Sequence, residues 1–118
     1  MDAAISWEGD SREVLSDFAV GVKSTLGFGL RRLQQGKTPA CACRPIQSIG
    51  EGVFELKAQD ERAWHRVIYL SRIDDVIYVL HSFKKQGRKT SGPDLRTARS
   101  RLKLVNQRLM EAKKRRKK

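Results

Sequence analysis

The sequence predicts an α+β fold: an N-terminal strand, two helices forming a helical hairpin, a three-stranded antiparallel meander and a C-terminal helix. Three observations carry this. The stretch from Arg62 to Lys89 holds two runs rich in β-branched and aromatic residues, 63–71 and 76–83, split by the turn signal Asp74-Asp75. Leu95, Ala98, Leu102, Val105, Leu109 and Ala112 recur at spacings of three and four, a helical seam. Val14, Leu15, Phe18, Val22, Leu26, Leu30 and Leu33 form a comparable stripe near the N-terminus.

Taken in order, residues 3–8 read as a short strand with Ile5 and Trp7 on one face, closed by Gly9. Asp10, with Glu13 three residues later, has the spacing of a capping box and starts a helix. A break is expected near Gly21, and the second helix should end at Gly36, with Gly27 and Gly29 allowing close approach to a sheet. Pro39, Cys41, Cys43, Pro45 and Gly50 mark 37–52 as a loop with a short extended piece at 45–49. Residues 53–58 form the first strand of the meander, with Glu55 and Lys57 sharing a face turned to water or a cleft. Short turns then make the three strands consecutive and antiparallel. Strict alternation puts Trp64, Arg66, Ile68 and Leu70 on one face of the next strand, and Ile77, Val79, His81, Phe83 and Lys85 on one face of the last. Lys84 points the other way from Lys85. Both faces of the hairpin are largely apolar, and the helices are expected to pack on one side of the sheet. Pro93 and Asp94 open the final helix.

A chain of 118 residues suits one domain, here residues 1–112, followed by a basic tail, 113–118, expected to be disordered. Lys and Arg outnumber Asp and Glu by 25 to 13, a net charge of +12; the tail run Lys113-Lys114-Arg115-Arg116-Lys117-Lys118 supplies six, so the body retains +6. Such a surplus suits a polyanionic partner, nucleic acid first. No apolar run approaches the roughly 20 residues of a membrane span, and a cytoplasmic protein without membrane association is expected. Cys41 and Cys43 are too few for a zinc site and too close for an ordinary disulfide, so no metal or other cofactor is expected.

The chemistry concentrates where the hairpin ends, at Lys84, Lys85, Arg88 and Lys89, with Lys57 and Arg66 on neighbouring strands. This set contains no carboxylate pair, metal-ligand set or Ser-His-Asp arrangement. Arginine suits bidentate phosphate contact and lysine a point charge, while Tyr69, Phe83 and His81 offer rings on which bases can stack. Arg66 lies between Trp64 and Ile68, so it either pairs with Glu55 or Asp60 or faces a ligand.

Glu55-Leu56-Lys57, Trp64-His65-Arg66-Val67-Ile68-Tyr69, Val79-Leu80-His81-Ser82-Phe83-Lys84-Lys85 and Pro93-Asp94-Leu95, with Ala98 and Arg101, together resemble the phage-derived HigB-like toxins of the RelE/ParE superfamily. The resemblance spans about residues 5–105. It implies a RelE-like fold and the toxin of a type II toxin–antitoxin system, neutralised by a cognate antitoxin, often a helix-turn-helix protein, in a toxin–antitoxin hetero-oligomer. It further implies a ribosome-dependent messenger RNA endoribonuclease, or mRNA interferase, that inhibits translation without a metal. In that reaction a ribose 2′-hydroxyl attacks the adjacent phosphate. The catalytic candidates are then Arg66, Lys84, Lys85, His81 and Tyr69; the RNA-binding candidates are Lys57, Arg62, Phe83, Arg88 and Lys89. Crowded cations disfavour each other's charged state, which suits a lysine to act as base; His81 is the competing base. No tyrosine or histidine follows His81 in the chain, unlike in some superfamily members. Two rival readings stand beside this one: a toxin of the same fold that binds and inhibits gyrase, and a nonenzymatic nucleic-acid-binding module.

Overall fold

In a computed structural model of the chain, residues 2–85 and 91–116 are described, Arg72 by its backbone only. The elements run β1 (Ala4–Trp7), α1 (Ser11–Ser16), α2 (Val20–Gln34), β2 (Ala42–Pro45), β3 (Val53–Gln59), β4 (Trp64–Ile73), β5 (Val76–Lys85) and α3 (Gly92–Arg116). The strands form one five-stranded sheet in the order β1-β5-β4-β3-β2; β1 lies parallel to β5 and every other pair is antiparallel. The α+β class, the strand–helix–helix–meander–helix order and the consecutive antiparallel pairing of β3, β4 and β5 are as the sequence predicts.

Asp74 and Asp75 both adopt left-handed backbone angles, φ 50° and 63°, which is what a two-residue turn between twisted strands requires. Aspartate tolerates that region better than most residues, so the turn forms without glycine. The 45–49 extended piece is instead β2, three residues earlier. Its four residues are all exposed, and Pro45 is accommodated because an edge strand needs hydrogen bonds on one side only.

The helices do not share one side. Leu15, Phe18, Val22, Leu26 and Leu30 from α1, α2 and their junction pack on Leu56, Val67, Tyr69, Ile77 and Val79. Ala98, Leu102 and Val105 of α3 pack on the opposite face, against Val53, Ile68, Leu70 and Leu80. Because the central strands are apolar on both faces, each face needs its own cover, and the α3 seam supplies the second. The break between α1 and α2 falls at 17–19 rather than at Gly21, where Phe18 turns into the core. Gly29 does permit close approach: a Cβ there would lie 2.9 Å from the Cys41 sulfur.

Asp10 precedes α1 but makes no side-chain cap. Its carboxylate accepts from Arg101 Nη2 at 2.8 Å, joining the start of α1 to α3. That hydrogen bond, with the guanidinium charge, holds the Asp10 carboxyl below its ordinary range. Helix α3 continues through Arg116, four residues past the predicted end of ordered chain. No helix among the described residues is long and apolar enough to cross a membrane.

Candidate nucleic-acid interface

A break in strand alternation positions the site. Along β4 and β5, Ile68 pairs with His81 while Tyr69 pairs with Val79, so Leu80 is the extra residue of a bulge. Before it, Ile77 and Val79 face α1 and α2; after it, His81, Phe83 and Lys85 face the side that α3 covers. Alternation alone groups all five, and the bulge separates them.

Cross-strand register then defines the α3-side face. Arg44, Glu55, Ile68 and His81 form one row, Ala42, Lys57, Arg66 and Phe83 the next, and Gln59, Trp64 and Lys85 the last. Residues directly opposite one another point the same way, so Arg44, Lys57, Arg66 and Lys85 share this face with Trp64, Phe83 and His81. The Lys57 ammonium lies 5.2 Å from the centre of the Trp64 ring, a cation–π contact. His81 stacks on Phe83 with centroids 4.9 Å apart.

Arg66 lies at 0% exposure, as does Glu55. Its Nη1 donates to both Glu55 carboxylate oxygens at 3.3 Å, so of the two carboxylates the sequence offers, Glu55 is the partner in these bonds. Arg44 Nε donates to the same carboxylate at 3.2 Å, and its side chain is 51% exposed. One buried carboxylate thus lies between a buried and an accessible guanidinium.

His81 is held at both ring nitrogens. Nε2 lies 2.8 Å from Asp94 Oδ1, and Nδ1 lies 3.4 Å from Arg101 Nη1. The imidazole is thus held between a carboxylate and a guanidinium. Asp94 also accepts from the Ser91 hydroxyl, while the Asp94 backbone N–H donates to Ser91 Oγ at 3.3 Å. Ser91 therefore caps α3, and the carboxylate belonging to its first turn fixes the imidazole.

Other candidates lie elsewhere. Tyr69 is on the α1/α2 face at 2% exposure, stacked on Phe54, with its hydroxyl 3.3 Å from the Cys43 sulfur. Burial, reinforced by Cys43, raises its pKa well above the ordinary phenol value, so it stays protonated. Tyr69→Phe is expected to leave any activity of the cationic face within about twofold, and to change stability by no more than about 1 kcal/mol, the worth of one such bond; thermal melts and turnover of the two proteins check this. Lys84 is exposed on the same side as Tyr69, opposite His65, and His65 packs edge-on to Phe18 at 4.7 Å. Arg62 is exposed in the β3–β4 turn, where Asp60 accepts from its backbone N–H at 2.8 Å. Arg88 and Lys89 lie outside the described residues.

Arg44, Glu55, Trp64 and Asp94 are neighbours that sequence reasoning does not place among the candidates. Ser91-x-x-Asp94 is a legible capping signal; Arg44 carries no such signal until β2 is in the sheet. Among the described residues this face carries four cations, of which Arg44 and Arg66 are bound to Glu55, with Asp94 a second carboxylate beside His81, and rings of which Phe83 is buried and Trp64 partly accessible. That is an arrangement for a phosphate backbone with unstacked bases.

Residues 13–103 match the family described as Phage derived protein Gp49-like (DUF891). The chain belongs to this family. No curated protein matches it. Among solved structures, a mutant of the E. coli toxin RelE in the free state is similar, with a TM-score of 0.61 and 13% identity over 86% of this chain and 98% of that one. This Gp49-like chain therefore has the RelE fold.

Proposed function

We propose that this Gp49-like protein is a toxin of the RelE superfamily, of the HigB-like branch, acting in the cytoplasm as a ribosome-dependent mRNA endoribonuclease under the control of a cognate antitoxin. Family membership and the RelE fold support the toxin reading. The single observation that carries the nuclease reading is the face shared by Arg44, Lys57, Arg66 and Lys85 with Trp64 and Phe83.

In this reading a ribose 2′-oxygen attacks the adjacent phosphorus, the bond to the 5′-oxygen breaks, and a 2′,3′-cyclic phosphate and a 5′-hydroxyl result. Negative charge grows on the nonbridging oxygens during attack, and cations fixed in advance around them lower the barrier. Lys57 and Lys85 are accessible enough to approach those oxygens, Arg44 flanks them, and Arg66 contributes from beneath. Trp64 supplies a stacking surface for a base. With both ring nitrogens engaged, by Asp94 and Arg101, His81 is poorly placed to take the 2′-hydroxyl proton. Arg96, Arg99, Lys103 and the Lys113–Arg116 run add positive charge along α3 for ribosomal RNA, and that contribution weakens with salt.

Induction in a bacterial host should arrest growth and yield fragments only from translated messages, ending in cyclic phosphate. Growth arrest with intact messages would overturn the reading. DNA breaks or altered supercoiling in the same cells would assign the chain to gyrase-directed toxins instead.

A further inference from the structure

Cys41 and Cys43 are the two cysteines of the chain, and both are free thiols. Cys41 lies in the bend that leads into β2 and Cys43 is the second residue of that strand, so alternation turns both side chains to the α1/α2 face. The contacts agree with this. The Cys41 sulfur lies against Gly29 of α2, where the missing Cβ leaves room for it, and packs on the core of that face. The Cys43 sulfur lies 3.3 Å from the Tyr69 hydroxyl.

The two thiols differ in access. Cys43 is exposed and borders a cavity of about 460 Å³ lined also by Leu33, Pro39, Phe54 and Tyr69. That size is in the range of about 300–1,000 Å³ typical of clefts for small molecules. Cys41 is half-buried, and burial raises its thiol above the ordinary range, reinforced by the neighbouring Cys43. A reagent from solvent therefore meets Cys43 first, and Cys41 is left as the second thiol. Tyr69 keeps its proton, so its hydroxyl is available to donate to a Cys43 sulfur that carries negative charge.

Cα atoms two residues apart along a strand are separated by about 6.4–6.8 Å, and disulfides span Cα distances of about 4.4–6.8 Å. A bond between Cys41 and Cys43 is within reach when the start of β2 draws in slightly. Strand β2 permits that, because it pairs with β3 alone and its four residues are exposed. Strain of this kind makes a disulfide easy to reduce, which suits a reversible bond rather than a structural one.

We propose that Cys41 and Cys43 form a thiol–disulfide exchange site for a low-molecular-weight disulfide, closing reversibly into an intramolecular bond across Ala42. The Cys43 thiolate attacks one sulfur of the small disulfide, a mixed disulfide forms on Cys43, and the other half leaves as a thiolate that takes a proton from water. Cys41 then loses its proton to water and attacks the Cys43 sulfur, and the second small thiol leaves in the same way. Two electrons pass from the protein thiols to the small disulfide, and an excess of reduced thiol runs the exchange backward. On the other face of the sheet Ala42 stands opposite Lys57 and Arg44 opposite Glu55, so drawing in β2 shifts both pairs and the 3.2 Å contact between Arg44 and Glu55. The proposal does not depend on the ribonuclease reading, because it is read on thiols and amide signals.

The test uses the full chain, reduced, uniformly labelled with nitrogen-15 and treated with excess oxidised glutathione. Both thiols should disappear together, leaving a monomer lighter by two hydrogens with no glutathione attached. Cys41→Ser should stop with one glutathione on Cys43, and Cys43→Ser should react about tenfold more slowly than Cys41→Ser, because its remaining thiol is the less accessible one. Oxidation should move the amide signals of Arg44, Glu55 and Lys57, and excess reduced glutathione should return them. A chain that retains two glutathiones, a disulfide-linked dimer, or equal rates for the two serine variants would overturn the proposal. So would an oxidised chain in which the Glu55 and Lys57 signals stay where they were.

Discussion

If the proposed ribonuclease reading holds, alanine at Lys57 and Lys85 together is expected to lower ribosome-dependent mRNA cleavage at least 100-fold, while Lys84→Ala stays within about threefold of the unchanged protein. Register is the reason. Lys85 stands opposite Trp64, and Lys57 opposite Arg66, so both ammonium groups belong to the Arg66 face; Lys84 stands opposite His65 on the other face. Removal of one group positioned at a developing oxyanion costs enzymes about 3–4 kcal/mol, or 10²–10³ in rate. Even a partial share of that from two lysines reaches 100-fold. Neither lysine belongs to a buried core, and neither has an ion pair among the described contacts. Far-UV circular dichroism should therefore be unchanged, and the melting temperature should fall by no more than the few degrees expected from losing the Lys57–Trp64 contact, about 0.5–1 kcal/mol. Cleavage assays on translating ribosomes would refute the face assignment if Lys84→Ala were as damaging as Lys85→Ala.

How much of this was legible beforehand depends on which interaction sets each feature. The β4–β5 hairpin and the α3 seam are local: residue type, turn chemistry and period suffice, and both stand close to their predicted bounds. Arg66 pairing with Glu55 also follows from local logic, since a buried guanidinium between Trp64 and Ile68 needs a carboxylate and the neighbouring strand provides one. The bulge at Leu80 has no such signature. Leu80 is as good a strand residue as its neighbours, and only the competing demands of the two cores on Val79 and His81 force the extra residue. Strict alternation consequently put His81 with Ile77 and Val79, the wrong companions. Strand β2 was displaced because Pro39 and Pro45 read as loop punctuation, and edge position, a tertiary property, is what makes Pro45 acceptable. Only the β2–β3 pairing brings Arg44 beside Glu55, and no local signal encodes it. The missing Asp10 cap has the same origin: Arg101, 91 residues away, takes the carboxylate that helix geometry alone would use. Tyr69 and Lys84 were legible as residue types suited to RNA, but their face was set by how the strand pairs.

Glu55→Ala is expected to destabilise the protein by about 3–5 kcal/mol, the usual consequence of removing one partner from a buried ion pair. Arg66 is fully buried and Glu55 contacts it through both carboxylate oxygens, so the loss leaves a desolvated guanidinium with less compensation. The exposed Arg44 also loses its described acceptor. Arg66→Ala should be costly too, so its loss of cleavage cannot by itself separate chemistry from folding. The double replacement Glu55→Leu with Arg66→Met makes that separation. Apolar residues of similar volume can substitute for a buried pair at little net cost, so much of the lost stability should return in urea or guanidinium unfolding. On the proposed ribonuclease reading cleavage should not return, because the cation assigned beneath the phosphate is gone. A double variant that is stable and still cleaves at the original rate would make Arg66 a structural residue alone and leave the chemistry to the two lysines and Arg44. A double variant as unstable as Glu55→Ala would mean that the pair holds the sheet through directed hydrogen bonds that packing cannot replace.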